Sequence, residues 1–133
     1  MTELKNKIKI AREEREKGDI NKALEMFLEV DKLNFDQPNQ LFDYLGELGL
    51  TYFHLGEYQK ARECYEEALE LAEKLENESY KAVMFKHLSN PKFNEGKEDG
   101  ALQYALKARE SALNAGRKDL VWFDGGVISA LFQ

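Results

Sequence analysis

The chain is poor in residues that cross-link or interrupt a fold: of 133 residues, one is cysteine, two are proline and two are histidine. One cysteine, Cys64, makes no disulfide within the chain, which fits a reducing compartment and leads us to expect a cytoplasmic protein. Two isolated histidines and one cysteine lack the His-x-x-x-His or Cys-x-x-Cys spacing of a metal site, so no metal and no cofactor are expected. Long apolar runs are missing too. Nothing approaches the roughly 20 apolar residues of a membrane span, and Met1 to Ile10 alternates lysine with apolar residues instead of building a leader core. The expectation is a soluble, unexported protein without a membrane partner. Basic charge is also in deficit, with 19 Lys and Arg against 25 Asp and Glu and a formal net charge of −6. That balance argues against a nucleic-acid partner, because affinity there comes mainly from neutralising phosphates.

What the chain has is helical periodicity. From Tyr58 to Leu75, the residues Tyr58, Ala61, Tyr65, Ala68, Leu69, Ala72 and Leu75 recur at three- and four-residue spacing, which puts them on one face of a helix. Glu63, Glu66, Glu67, Glu70 and Lys74 lie mostly off that face, and Glu70 and Lys74 form a favourably oriented i,i+4 pair. Alternation at period two is weak throughout, so an all-α chain is expected. Gly18-Asp19, Gly56-Glu57, Gly96 to Gly100 and Asn114-Ala115-Gly116 are expected helix stops. Asp19, Asp36 and Asp99 are expected N-caps, with Pro38 in a first turn. These signals divide the chain into seven helices, at roughly 3–17, 19–34, 38–55, 57–76, 79–95, 98–115 and 118–132, with Pro91 expected to kink or shorten the fifth.

Overlaying the helices exposes a repeat. Gly18-Asp-Ile-Asn-Lys-Ala23-Leu aligns with Gly56-Glu-Tyr-Gln-Lys-Ala61-Arg and, with drift, with Gly96-Lys-Glu-Asp-Gly-Ala101-Leu, at spacings of 38 and 40 residues. Helix pairs of this kind cannot bury their apolar faces alone and stack on their neighbours. The Leu48-Gly49 pair, Tyr52, the turn at Gly56 and the series Ala61, Tyr65 and Ala68 resemble a tetratricopeptide (TPR) repeat. Ala11, Gly18, Ala23, Phe27 and Val30 echo it in the first hairpin, and Leu88, Gly96, Ala101, Ala105 and Ala108 in the third. The usual unit is about 34 residues, so the resemblance is to the longer-helix variety. It implies a right-handed superhelix of antiparallel hairpins in a single domain over 1–133. Three repeats, at approximately 3–35, 38–76 and 79–116, would be followed by a terminal helix at 118–132.

Catalytic signals are scarce. No phosphate-cradling glycine motif is present, and a nucleophile pair of Cys64 with His54 or His87 is weaker than its reading as a packed thiol and an imidazole. No enzyme is expected. The resemblance implies a concave wall lined by the first helix of each pair: Lys5, Lys9, Arg12 and Arg15, then Asp43, Glu47, Leu50, Phe53 and His54, then Lys86, His87, Asn90 and Asn94. Of these, Arg12, Arg15, Glu47, Leu50, Phe53, His54, Lys86, Asn90 and Asn94 are the expected contacts for a partner's peptide or helix segment. The carboxylate-gripping clamp of one TPR subclass would fall on Ile8, Arg12 and Glu47, and Glu47 repels a carboxylate. Residues 36–80 hold three basic against eleven acidic side chains, an acidic centre that would steer a basic segment.

The last helix is too apolar for the polar cap that ends a typical stack. Trp122, Phe123, Ile128 and Leu131 are expected to form a homodimer interface. The function these features imply is a non-catalytic protein-interaction module. The alternative is a small dedicated chaperone or assembly factor that holds one client as a homodimer.

Overall fold

A computed structural model describes residues 2–30, 32–94 and 98–116. These residues form six α-helices and two short 3₁₀ turns: α1 (Thr2–Glu16), α2 (Ile20–Leu28), a turn at Lys32–Asn34, α3 (Pro38–His54), α4 (Tyr58–Lys74), α5 (Glu78–Leu88), a turn at Pro91–Phe93 and α6 (Glu98–Asn114). No strand occurs among the described residues, as expected from the periodicity. The described residues fall into two compact units that divide between Cys64 and Tyr65.

One local device separates three of the helix pairs. After α1, Gly18 N–H donates to the Arg15 carbonyl and Asp19 N–H to that of Glu14. After α3, Gly56 and Glu57 donate to Phe53 and Tyr52, and after α4, Glu76 and Asn77 donate to Glu73 and Ala72. Each is the paired 5→2 and 6→1 closure that satisfies orphan carbonyls at a helix end, and it needs one residue in the left-handed region. Gly18 and Gly56 supply it at φ 101° and 80°, whereas Glu76 adopts φ 52° without being glycine. The next residue then starts the following helix: Asp19 Oδ1 accepts from Lys22 N–H at 3.2 Å, and Asn77 Oδ1 from Tyr80 N–H at 3.0 Å.

In the first unit, α1 packs on α2 and α2 on α3. Ala11 and Ala23 are fully buried together with Phe27 and Leu45, short side chains that let helices approach closely. Tyr44 is a buried staple: its hydroxyl donates to the Phe27 carbonyl at 2.9 Å, and its ring lies 6.2 Å from that of Phe27 and 5.3 Å from that of Phe35. In the second unit, α5 packs on α6; Ala101, Ala105, Ala108 and Ala112 are buried on α6, and Ala82, Met84 and Leu88 on α5.

Several expected boundaries are corrected. The second helix stops at Leu28 rather than 34, because Val30 N–H reaches back three residues to the Phe27 carbonyl, tightening the last turn, and the Tyr44 hydroxyl binds that same carbonyl. The fifth helix stops at Leu88 rather than 95: Pro91 disfavours helical backbone at the residue before it and has no N–H to donate. The fourth ends at Lys74 because Glu76 turns left-handed. Asp36 is not a cap; Gln37 holds that position without a side-chain hydrogen bond, and Pro38 begins the helix. Asp99 lies inside the first turn of α6 rather than ahead of it.

Candidate functional site

The face that α1 and α3 share in the first unit is built of opposed charges. On α3, Asp43, Glu47, Leu50 and His54 follow one another at i, i+4, i+7 and i+11, so they share a side of the helix. On α1, Arg12 and Arg15 reach toward it. Glu47 lies between the two guanidinium groups: its Oε2 is 2.7 Å from Arg15 Nη1 and its Oε1 4.0 Å from Arg12 Nη1. The shorter contact is one of charge alone, since Glu47 Oε2 accepts no aligned hydrogen bond. Arg15 Nη1 instead donates to the Glu47 backbone carbonyl at 3.2 Å and to Thr51 Oγ1 at 3.4 Å. Thr51 Oγ1 in turn donates to that same carbonyl at 2.8 Å.

Burial separates the two arginines. The Arg15 side chain keeps 8% of its surface exposed and the Arg12 side chain 44%. Arg15 is therefore a packed cation whose loss of water must be offset by its partners, while Arg12 faces solvent. Asp43 sits one turn before Glu47 with its residue surface largely open. Crowding against the protein and then the Glu47 charge push its carboxyl above the ordinary carboxylate range, against the opposite pull of Arg12 and Lys5.

The remaining expected contacts divide. Leu50 is half-buried and His54 exposed on the Asp43–Glu47 side. Phe53 points along another edge of α3, with its ring 5.4 Å from Tyr58 and 6.0 Å from His54. In the second unit, His87 stacks on Tyr65 with centroids 4.7 Å apart and planes 5° from parallel, and Phe93 meets Tyr65 edge-on at 5.7 Å. Burial, then the neighbouring Lys86 charge, lowers His87 to about 4. Lys86 is half-buried on the same helix. Asn90 and Asn94 lie beyond the end of α5 and close it: Asn90 Oδ1 accepts from Lys92 N–H at 2.9 Å, and Asn94 Nδ2 donates to the carbonyls of Leu88 at 2.8 Å and Asn90 at 3.1 Å. The structure thus brings Arg12, Arg15 and Glu47 together, places Leu50 and His54 on the same side of α3, and commits the Asn94 amide to backbone. Trp122, Phe123, Ile128 and Leu131 lie outside the described residues.

Thr51 was not anticipated. Its signal was a buried hydroxyl residue one turn after Glu47, where a helix interior gives it only a neighbouring carbonyl or a facing side chain to bind. Cys64 is buried, and among the described residues no group of three His, Cys, Asp or Glu is arranged to hold a metal ion.

Residues 42–75, from within α3 to just past α4, match the family model of the tetratricopeptide repeat. The chain carries a tetratricopeptide repeat. The match covers the segment where Leu48-Gly49, Tyr52, Gly56, Ala61, Tyr65 and Ala68 carried the resemblance, and the α3 side of the charged face lies within it. Repeats of this family are protein-interaction modules and generally non-catalytic. No curated protein matches the chain. Among the described residues, no helix is long and apolar enough to cross a membrane.

Proposed function

We propose that the chain is a non-catalytic interaction module that binds a peptide or helical segment of a protein partner along the α1–α3 face. The observation that carries this reading is the composition of that face. Half-buried Leu50 lies between Asp43 and Glu47 on one side and His54 on the other, with the Arg12 guanidinium across from it. An apolar anchor flanked by charges is how such surfaces combine affinity with register. Partners captured from the source cell on the immobilised chain test it. A genuine partner is lost on Leu50→Asp, changed in affinity by Arg12→Glu, and kept on Glu66→Lys, which changes an exposed charge on α4. A set of partners insensitive to Leu50→Asp and Arg12→Glu rules the face out.

A further inference from the structure

Two guanidinium groups on α1 converge on one carboxylate of α3, which meets the buried Arg15 closely and the exposed Arg12 at longer range. Glu47 Oε2 faces Arg15 at 2.7 Å and Glu47 Oε1 faces Arg12 at 4.0 Å, so one side chain sets its negative charge between both cations. Arg15 is further tied to the Glu47 carbonyl and to Thr51. Without the Glu47 carboxylate the same face would present Arg12 and Arg15 with Lys5 nearby, opposed by Asp43 alone. With it, three cations face two carboxylates, and Asp43 stands one turn away on the exposed side of α3.

We infer that Glu47 is the specificity-determining residue of this face. Its carboxylate acts as an internal substitute for an anionic ligand, so that the face rejects acidic partner segments and accepts basic ones beside Asp43. This rests on the α1–α3 face being the binding surface. It assigns Glu47 a function distinct from holding the helices together, because an ion pair kept only for packing would be replaceable by a neutral hydrogen-bonding side chain without altering what the surface binds.

The test compares the whole chain with its Glu47→Gln variant, using two probes. One is a pair of capped ten-residue peptides that share a central Leu-Leu and differ in carrying either three Lys or three Glu around it, measured by fluorescence anisotropy at low and physiological salt. The other is inorganic sulfate, measured as a melting-temperature shift against chloride at equal ionic strength. Wild type is expected to bind the basic peptide more tightly than the acidic one and to show no sulfate-specific shift. Glu47→Gln is expected to change the acidic-to-basic affinity ratio at least tenfold toward acid. It is also expected to gain a sulfate-specific rise in melting temperature, because an anion that binds only the folded state stabilises it by mass action. Both gains should disappear when Arg12→Gln is added. A ratio unchanged within twofold together with no sulfate shift overturns the inference. If neither chain binds either peptide, the face is not the binding surface, and the sulfate shift alone then decides whether Glu47 shields the arginines. If circular dichroism shows Glu47→Gln unfolded, the Arg15→Gln, Glu47→Gln double variant, which also removes the buried cation, carries the same comparisons through Arg12.

Discussion

At the scale of single residues, two buried polar groups carry measurable weight. The Tyr44 hydroxyl is a buried donor to the Phe27 carbonyl near the end of α2, and Tyr44→Phe removes that bond while leaving the ring contacts in place. A buried neutral hydrogen bond is worth about 1 kcal/mol, so the urea midpoint should fall by that equivalent without change in slope; an unchanged midpoint would show that the hydroxyl contributes nothing. His87 acts through pH. Its folded-state value of about 4 lies below the ordinary 6.5, so the unfolded chain binds the proton more readily. The stability this site contributes is fully present above pH 6.5 and is lost as pH falls from 6.5 toward 4, on the order of 2–3 kcal/mol across that window. His87→Phe, which keeps a ring against Tyr65, should flatten the acid limb of a stability-against-pH profile between pH 6.5 and 4. A limb of unchanged steepness would place the acid sensitivity elsewhere.

At the scale of elements, the helix stops are interchangeable parts, and one is imperfect. Gly56 and Glu76 occupy the same position in the same closure, at φ 80° and 52°, but only glycine takes the left-handed region without strain from a Cβ. Gly56→Ala should therefore destabilise the chain by about 1 kcal/mol even though nothing lies within 4 Å of the added methyl. Glu76→Gly should stabilise it by up to about 1 kcal/mol, the released strain being partly offset by a freer unfolded chain. Thermal unfolding of both variants gives opposite signs if the closures are equivalent; two decreases would mean that the Glu76 side chain does something glycine cannot. Elements were legible in the sequence where a stop is written locally. Gly18-Asp19 and Gly56-Glu57 placed two boundaries to within a residue or two. Those misplaced depended on contacts distant in sequence: nothing near Leu28 announces that Tyr44, sixteen residues later, will bind the end of its helix. The candidate site divides in the same way. Arg12, Arg15 and Glu47 were reachable because the repeat fixes which helices face one another, whereas the closing role of Asn94 follows from a helix that Pro91 ends early.

At the scale of the whole molecule, each of the two units has its own core among the described residues. Phe27, Tyr44 and Leu45 lie in the first, and Met84, Leu88 and the α6 alanines in the second. A globular domain with one core loses stability everywhere when any large core residue is cut. A chain organised in repeats opens in segments, because each segment's stability depends chiefly on its own contacts and those of its neighbours. Leu88, fully buried on α5, discriminates between the two behaviours. Leu88→Ala removes buried volume at a cost of about 2–5 kcal/mol. Native-state hydrogen exchange of the variant should then show faster exchange for the amides of α5 and α6, by the factor of tens to thousands that such a loss implies, with those of α1, α2 and α3 accelerated far less. Equal acceleration over all six helices would show that the chain opens as one unit in spite of its repeated architecture. A gradient from α6 toward α1 would show that stability is assigned hairpin by hairpin. In that case the α1–α3 face would keep its ion pairs even while the second unit is open.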